Sequence, residues 1–366
     1  MVTMADVARV AGVSPSTVSH VLNGTRAVHD DTRAAVLEAI AATRYRRNAV
    51  AASLATSRTT TVGLANSVAN NVYFAELVRS VARSARGLGY DVLIEDTQED
   101  PEQELRVLQQ LVDRRVDGVL LVPSRGAERE ALPFLRRQGV PVVLLDRFVD
   151  AEVDQVAPEN EASTRLLTEH LADLGHTRVG VVVGLRGIAS SEERLRGHLG
   201  AVADRGLDAS PELVVDGRSD VDAAEGAVLR LMSSPAPPTA LVVGNNTMTI
   251  GTLRALRALG LRVPQDVALV CFDDFEWSDL FEPRLTAISQ DVPALGARGL
   301  ELVLQRIGGS TAAPRRERVA TAFRHRTSCG CGADDADSAD NAAGGVPARA
   351  GAPGRAPLRR RAPEHP

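Results

Sequence analysis

The sequence feature that most constrains the fold is a regular alternation of short apolar runs with amphipathic helical stretches, from Thr61 to about residue 325. The first four runs are TVGLANS, YDVLIEDT, VDGVLLVPS and VPVVLLDR, and the rhythm restarts after Glu161 with RVGVVVG, ELVVDG, TALVVGNN and DVALVCFDD. Runs this continuously apolar are typical of strands buried on both faces of a parallel sheet. We therefore predict an α/β chain with two doubly wound lobes.

A helix-turn-helix pattern precedes the lobes. Thr3 is followed three positions later by an acidic residue in a capping-box arrangement, and Gly12 permits a sharp turn. Ser14 then caps a second helix whose first position is Pro15, where a missing N–H has no cost. The sequence predicts a three-helix DNA-binding domain over residues 1–46, with small polar side chains at the front of its second helix facing a major groove.

Charge is unevenly distributed along the chain. Residues 1–60 carry seven Arg against four Asp or Glu, whereas the whole chain has a net charge of −5 and contains no Lys. Residues 1–60, called the head below, are therefore basic, and the rest of the chain is acidic. This distribution indicates that the head binds a polyanion. With no apolar run of about 18 residues and no secretory signal, we expect a cytoplasmic protein, associated with the nucleoid when bound to DNA and without a membrane partner.

Cysteine usage gives little sign of metal or redox chemistry. The three cysteines include one close pair, Cys329 and Cys331, which is too few for a disulfide scaffold or a four-ligand zinc site. His170 and His176 are six residues apart around a helix end, which fits a cap better than a metal site. We expect no metal and no cofactor.

The head and the lobes together closely resemble the lactose/galactose repressor family of bacterial transcription regulators. The resemblance rests on TMADVARVAGVSPSTVSHVLNG in the head and on RVDGVLLVPS, VPVVLLDR, LADLGHTRVGVVVG, CFDD and LTAISQD in the lobes, and it covers about residues 2–328. It implies a repressor that binds a palindromic operator in double-stranded DNA as a homodimer. It also implies that a small-molecule effector, a sugar or sugar derivative, binds in the crevice between the lobes.

The resemblance assigns DNA contacts residue by residue. Family positions matching Pro15, Ser16 and His20 read bases. The positions matched to phosphate or other DNA contacts are Thr3, Ser14, Thr17, Asn23, Thr32, Tyr45, Asn48, Ala51 and Leu54. His20 replaces an arginine that is common in the family, and an imidazole cannot make the bidentate guanine contact of arginine, so the preferred operator differs.

A hinge helix is expected within residues 47–60. It is shorter than the dozen or so residues that an isolated helix needs in water, so we expect it to fold only when paired in a dimer on DNA. The resemblance makes Leu54 a wedge in a central minor-groove step, and packing on its own domain is the alternative. Arg47 replaces the usual proline, which makes the entry to the hinge less rigid.

The effector site is expected at the carboxyl ends of the lobe strands, where open α/β sheets bind ligands. Candidate side chains at strand ends and at nearby helix starts are Tyr73, Phe74, Asp146, Ser190, Arg194, Asn245, Asp273 and Trp277. The resemblance implies effector contacts for Phe74, Asp146, Arg194, Asn245 and Asp273. Carboxylates, an amide and Arg beside aromatic faces suit a polyhydroxylated ligand. Trp277 either stacks on a sugar or packs in a core or interface.

The domain boundaries follow from these patterns. We expect a two-lobed effector-binding and dimerisation domain over residues 61–328, with a first lobe of about 61–160 and 290–328 and a second of about 161–289. Residues 329–366 are expected to form a disordered tail. Residues 330–366 contain one leucine, Leu358, and no leucine heptad, so we expect a dimer rather than a tetramer.

Two alternative functions remain open, and a third is not expected. A regulator of the same fold could require a corepressor such as a purine instead of a sugar. A solute-binding protein would use the same lobes, but the absent signal sequence and the basic head argue against it. An enzyme is not expected, because the sequence contains no P-loop, nucleophile elbow or His-Glu metal pair.

Overall fold

The computed structural model describes residues 2–23, 26–45, 58–67, 71–280, 282–332 and 345–346, and it divides at residue 60 into two compact units. The expected hinge residues Asn48, Ala51 and Leu54 lie outside the described residues. Within the described part of the chain, no helix is both long enough and apolar enough to span a bilayer.

The first unit contains three helices, α1 (Met4–Ala11), α2 (Pro15–Asn23) and α3 (Asp30–Thr43). The capping box of α1 is present, because Asp6 N donates to Thr3 Oγ1 (3.3 Å) and Thr3 N donates to an Asp6 carboxylate oxygen (3.0 Å). Gly12 ends this helix in the left-handed region at φ 65°, as the predicted turn requires. Val7, Val18 and Val36, one from each helix, are fully buried against one another and form the small core.

The second unit consists of two α/β lobes, and it confirms the predicted fold class. The elements of the first lobe are β1 (Thr61–Asn66), α4 (Val72–Gly87), β2 (Asp91–Asp96), α5 (Pro101–Asp113), β3 (Gly118–Leu121), α6 (Ala131–Gln138), β4 (Val142–Leu145), β5 (Asp154–Pro158), α11 (Val292–Ile307) and β11 (Arg316–Val319). Its six strands are all parallel, in the order β11-β5-β4-β3-β1-β2.

The second lobe repeats this arrangement. Its elements are α7 (Glu161–Asp173), β6 (Val179–Val183), α8 (Ala189–Arg205), a 3-10 turn (Pro211–Leu213), β7 (Val214–Asp216), α9 (Val221–Met232), β8 (Ala240–Val243), α10 (Asn246–Ala258), β9 (Ala268–Phe272), β10 (Thr286–Gln290), β12 (Thr321–Arg324) and β13 (Gly345–Val346). The strand order is β13-β12-β10-β9-β8-β6-β7, with β12 and β13 antiparallel to their neighbours. Strands β6, β8 and β9 are fully buried, which explains their unbroken apolar sequence.

The chain crosses between the lobes three times, and this corrects one expected boundary. Residues 292–319 return to the first lobe, but Thr321–Arg324 go back to the second lobe. Strand β12 pairs antiparallel with β10, with Ala287 opposite Arg324. The expectation that residues 290–328 belong wholly to the first lobe is therefore wrong after Val319, because the free edge of β10 accepts a further strand.

The expected start of a disordered tail at residue 329 is also wrong. Cys329 is completely buried and packs with Phe323 in the core of the second lobe, and the described chain continues to residue 332. The two-residue strand β13 then pairs with β12. Residues 333–344 and 347–366 lie outside the described part of the chain.

Gly197 lets helices α7 and α8 approach closely, and an alanine there is expected to destabilise the protein. A Cβ at this position would lie 2.1 Å from the carbonyl oxygen of Glu161 and 3.0 Å from the amide nitrogen of Arg165. Since both atoms are backbone, the helices must separate, at a cost of about 2 kcal/mol in the free energy of unfolding. Thermal unfolding followed by circular dichroism measures the difference.

Gly226 provides the matched control for this test. It lies within α9, where a new Cβ would meet only the guanidinium of Arg230 at 3.4 Å, the end of a flexible side chain. Gly226→Ala is therefore expected to stabilise the chain by about 0.5–1 kcal/mol through helix propensity. Equal effects of the two substitutions would show that close helix packing at Gly197 does not matter.

Candidate functional sites

A cavity of about 270 Å³ lies between the two lobes at the carboxyl ends of their strands. It is close to the lower end of the roughly 300–1,000 Å³ usual for small-molecule sites, which favours a compact ligand. The structure brings seven of the eight predicted effector residues to its walls: Tyr73, Phe74, Asp146, Ser190, Arg194, Asn245 and Asp273. Trp277 is the exception and lines a neighbouring cavity, where its ring contacts Phe275 with centroids 3.7 Å apart.

Two aspartates occupy equivalent places in the two lobes. Asp146 directly follows β4 and Asp273 directly follows β9, and both adopt left-handed backbone conformations, with φ of 71° and 74°. Such conformations are uncommon for residues other than glycine and cluster at functional sites. Each side chain is about 5% exposed or less, so both carboxylates are held in the cavity wall with little contact with solvent.

The carboxylate of Asp146 is fixed by hydrogen bonds within the first lobe. Tyr73 Oη donates to one of its oxygens (2.7 Å), and Arg147 Nε donates to the other (3.2 Å). Arg147 also forms a bidentate ion pair with Glu99, at 2.6 and 2.8 Å. Burial and the neighbouring Asp146 charge raise the pKa of Tyr73 well above 10.0, so the phenol remains a donor. This preorganised network holds Asp146 ready to accept further hydrogen bonds.

Asp273 lies in a less compensated environment. Gln290 Nε2 donates to one carboxylate oxygen, and Asn246 N lies 3.4 Å from the other. Burial raises the pKa of Asp273 above its ordinary value of 3.8, although Arg194 opposes the shift. The Oε1 atom of Gln290 is buried and has no hydrogen-bond partner among the described residues. Ligand hydroxyl groups in the cavity would supply donors to both residues.

Arg194 is positioned by the second lobe and lies against an aromatic ring. Its Nε donates to Asn160 Oδ1 (2.9 Å) and its Nη1 to the carbonyl of Gly244 (2.6 Å). The guanidinium carbon is 3.6 Å from the centroid of the Phe272 ring. These contacts orient the planar guanidinium towards the cavity, which suits bidentate recognition of ligand oxygens.

Asn245 has two functions in this arrangement. Its Oδ1 accepts from Met248 N (2.9 Å) and caps helix α10, while the residue also lines the cavity. The next residue, Asn246, joins the lobes directly, because its Nδ2 donates to Asn71 Oδ1 (2.8 Å) across the cleft. The relative position of the lobes is therefore coupled to helix starts that also form the binding site.

A second connection between the lobes is the ion pair of Arg318 on β11 with Glu193 on α8, at 2.5 and 2.8 Å. Glu193 is buried, so Arg318→Met leaves its charge without its main partner. We expect the free energy of unfolding to fall by about 2 kcal/mol. This is less than the cost of breaking a fully buried ion pair, because Arg318 is partly exposed. Chemical denaturation measures the loss.

Arg196→Met on the same helix is the control for this ion pair. Arg196 pairs with Glu161 at 3.1 Å, but both side chains are about half exposed. The expected cost is about 0.5 kcal/mol or less. If both substitutions cost the same, the Arg318–Glu193 pair does not stabilise the contact between the lobes.

Several cleft residues were not identified from the sequence. Arg147 stands beside Asp146 in VPVVLLDR, but nothing in one sequence distinguishes it from a surface arginine. Glu99, Asn71, Asn246 and Gln290 follow no detectable motif. Their positions at or just beyond the carboxyl ends of strands were the available signal, since this edge of a parallel sheet lines its ligand site.

The predicted DNA contacts cluster at helix starts of the first unit. Thr3 and Ser14 are the N-caps of α1 and α2, and Thr17 N donates to Ser14 Oγ (3.1 Å). Pro15 and Ser16 are exposed at the front of α2, and His20 is half-buried one turn further along. Helix N-termini attract phosphate through free N–H groups and the helix dipole.

The remaining predicted contacts divide into two groups. Thr32 is half-buried in the first turn of α3, and Tyr45 follows that helix and packs against the small core of this unit. Asn23 ends α2, but its side chain lies outside the described residues, as do Asn48, Ala51 and Leu54.

A helix-turn-helix unit on one chain with a two-lobed ligand cleft defines the class of ligand-responsive DNA-binding regulators. Residues 3–48 match the family model of bacterial regulatory proteins, lacI family, and residues 168–329 match the periplasmic binding protein-like domain. The ribose operon repressor of Escherichia coli K12 is 34% identical over 329 residues, covering 90% of this chain and 100% of that protein. The chain therefore belongs to the lacI family, and it is a transcriptional repressor controlled by a ligand.

Other similar proteins support the same assignment. The transcriptional repressor PurR of Haemophilus influenzae strain PittEE is 34% identical over 308 residues, covering 84% of this chain and 91% of that protein. A structure of the Lac repressor dimer bound to operator and the anti-inducer ONPF matches with a TM-score of 0.80 at 27% identity, covering 90% and 99% of the two chains. A complex of the regulator CelR with cellobiose matches with a TM-score of 0.68 at 30% identity, covering 90% and 100%.

Proposed function

We propose that this chain acts as a homodimer that represses transcription from a palindromic operator, and that a monosaccharide or a close derivative bound between the lobes controls it. The observation that carries the ligand class is that Asp146 and Asp273, one from each lobe, line the same cavity of about 270 Å³ as Arg194. Carboxylates that accept from adjacent hydroxyls suit a polyol, and Phe74 supplies an apolar face. The site of action is the cytoplasm, where the operator lies.

The proposed DNA contacts in the first unit are residues at the helix starts, on α2 and directly after α3. Pro15, Ser16 and His20 contact base edges, while Thr3, Ser14, Thr17, Asn23, Thr32 and Tyr45 contact the backbone. Asn48, Ala51 and Leu54 complete the interface from the hinge. The operator-bound dimer of the Lac repressor, which this chain resembles over 90% of its length, supports the dimer and an operator as its DNA partner.

Ligand control requires different affinities of the effector for two states of the lobes. Near-complete switching needs a difference of about 5.5 kcal/mol between the two affinities. The hydrogen bond from Asn246 to Asn71 and the ion pair of Arg318 with Glu193 join the two lobes. A ligand that bridges Asp146 and Asp273 changes the closure of the lobes and thereby acts on those contacts.

A purine corepressor is the second candidate ligand, as the sequence left open. Calorimetric titration with pentoses, hexoses, disaccharides and purine bases separates the two. Binding of a monosaccharide in the micromolar range, absent for purines, is expected. Binding of purines alone would overturn the sugar proposal while leaving the repressor assignment intact.

The operator is tested by selecting sites from random double-stranded DNA with the purified chain, with and without the ligand that binds. We expect a two-fold symmetric site with a deformable central step, since a wedging Leu54 favours such steps. Selection of an asymmetric site would contradict the homodimer.

A further inference from the structure

The second lobe contains a cluster of two histidines and two cysteines that the ligand cleft does not use. His170 comes from helix α7, whereas His325, Cys329 and Cys331 come from the segment that follows β12. One potential ligand atom from each residue lies within 4.8 Å of the other three. Two segments separated by more than 150 positions in the chain thus converge on a single point.

Two sulfur–nitrogen separations within this cluster are close to those of a tetrahedral zinc site. Cys329 Sγ lies 3.4 Å from His325 Nε2, and Cys331 Sγ lies 3.8 Å from His170 Nε2. With Zn–S bonds of about 2.3 Å and Zn–N bonds of about 2.0–2.1 Å, tetrahedral geometry places sulfur about 3.5 Å from nitrogen. The two measured pairs therefore need shifts of only a few tenths of an ångström to coordinate one ion.

The surroundings favour a metal over a chance contact. His325 and Cys329 are buried, His170 and Cys331 are half-buried, and the ring of Phe323 packs on both histidines with centroids 5.2 and 5.8 Å apart. A low-polarity shell of this kind excludes competing water from a bound ion.

We propose that His170, His325, Cys329 and Cys331 bind one structural Zn²⁺ ion that fastens the segment after β12 to helix α7. Two thiolates with two imidazoles in a tetrahedral set are typical of Zn²⁺. All four coordination positions are occupied by protein, as in structural rather than catalytic zinc sites. The ion then anchors the third crossover of the chain, because β12 is the strand that returns to the second lobe after β11.

The first measurement is the metal content of the full chain, purified without a histidine tag from zinc-supplemented medium. We expect about one zinc ion per chain, and about a tenth of that in the Cys329→Ser/Cys331→Ser variant. Cys271→Ala and His176→Gln are the matched controls, since these residues are not in the cluster. Both controls are expected to retain the metal.

A second measurement remains informative if the double variant does not fold. Zinc is removed from the wild-type chain with a chelator and replaced by Co²⁺, for which we expect the strong visible absorption of a tetrahedral sulfur and nitrogen site. Return of Zn²⁺ is expected to raise the Tm of the chelated chain by several degrees.

Three results would overturn the proposal. The first is a wild-type chain without zinc that gives only the weak spectrum of hydrated Co²⁺. The second is a Cys329–Cys331 disulfide in the purified chain, detected by its mass after alkylation of thiols. The third is full retention of zinc by a folded double variant. None of these readouts depends on DNA or on the ligand of the cleft, so they leave the repressor assignment untouched.

Discussion

Replacing Ser16 by aspartate is expected to lower the affinity for the operator about 100-fold, or about 2.7 kcal/mol, without unfolding the head. Ser16 is exposed at the second position of helix α2, directly after Pro15. A negative charge in the first turn of a helix stabilises that helix by about 0.3–1 kcal/mol. The same charge repels the phosphates that approach this helix start, so stability and DNA binding move in opposite directions.

Fluorescence anisotropy with the selected operator duplex measures the affinity, and thermal unfolding checks the head. Ala34→Glu is the control, because Ala34 is exposed on α3 and lies about 200° around that helix from Thr32. It adds one negative charge to the same unit on a different face. An equal loss of affinity in both variants would mean that net charge, not the front of α2, determines DNA binding.

Replacing Asp273 by asparagine is expected to weaken binding of the effector about 30-fold while raising the Tm of the unliganded chain. The carboxylate at this position is buried, and burial raises its pKa above 3.8, so its charged form destabilises the fold. Asparagine tolerates the left-handed backbone at φ 74° and can still accept the hydrogen bond from Gln290. It cannot make charge-assisted hydrogen bonds to ligand hydroxyls.

The raised pKa of Asp273 determines how the free energy of unfolding depends on pH. A carboxyl whose pKa is raised by folding stabilises the protein fully below 3.8, and this stabilisation is lost as pH rises through the folded-state value. The difference in free energy of unfolding between Asp273→Asn and the wild type is therefore expected to grow as pH rises from 3.8 through the folded-state pKa of Asp273. Above that pKa the difference is expected to stay constant. Denaturation curves at several pH values measure the difference.

Asp266 provides a control with the opposite sign. Its side chain pairs with Arg262 at 2.9 Å, and hydrogen bonds from Arg262 hold the pKa of Asp266 below its ordinary value. Asp266→Asn is expected to leave ligand affinity unchanged and to give no gain in Tm. A stabilisation equal to that of Asp273→Asn would contradict the idea that the cleft carboxylate is kept for binding at the expense of stability.

Much of the fold was predictable because it depends on local patterns. Continuous apolar runs identified the buried strands, and the capping residues Thr3 and Ser14 identified the starts of α1 and α2. The prediction failed where a partner from elsewhere decides the outcome. Residues 321–324 return to the second lobe because they pair with the edge strand β10. Nothing in the sequence of these four residues identifies β10 as their partner.

The candidate site was predictable to a similar degree. Asp146, Asn245 and Asp273 could be selected because each directly follows an apolar run, and chain topology brings such positions to one cleft. Trp277 follows Asp273 closely but turns into a neighbouring cavity with Phe275. The direction of a loop side chain depends on its packing partners, which sequence spacing does not contain.

The sequence by itself determined the two doubly wound lobes, the helix-turn-helix head and the strand-end aspartates, because periodicity, capping and strand ends are short-range properties of the chain. Only the tertiary structure decided which distant residues meet. It joined Asn71 to Asn246 across the cleft, and it brought His170 to Cys331, two residues for which the sequence alone did not predict a metal site. The physical reason is that a binding site depends on distances between side chains, and these distances are set when the lobes fold and pack.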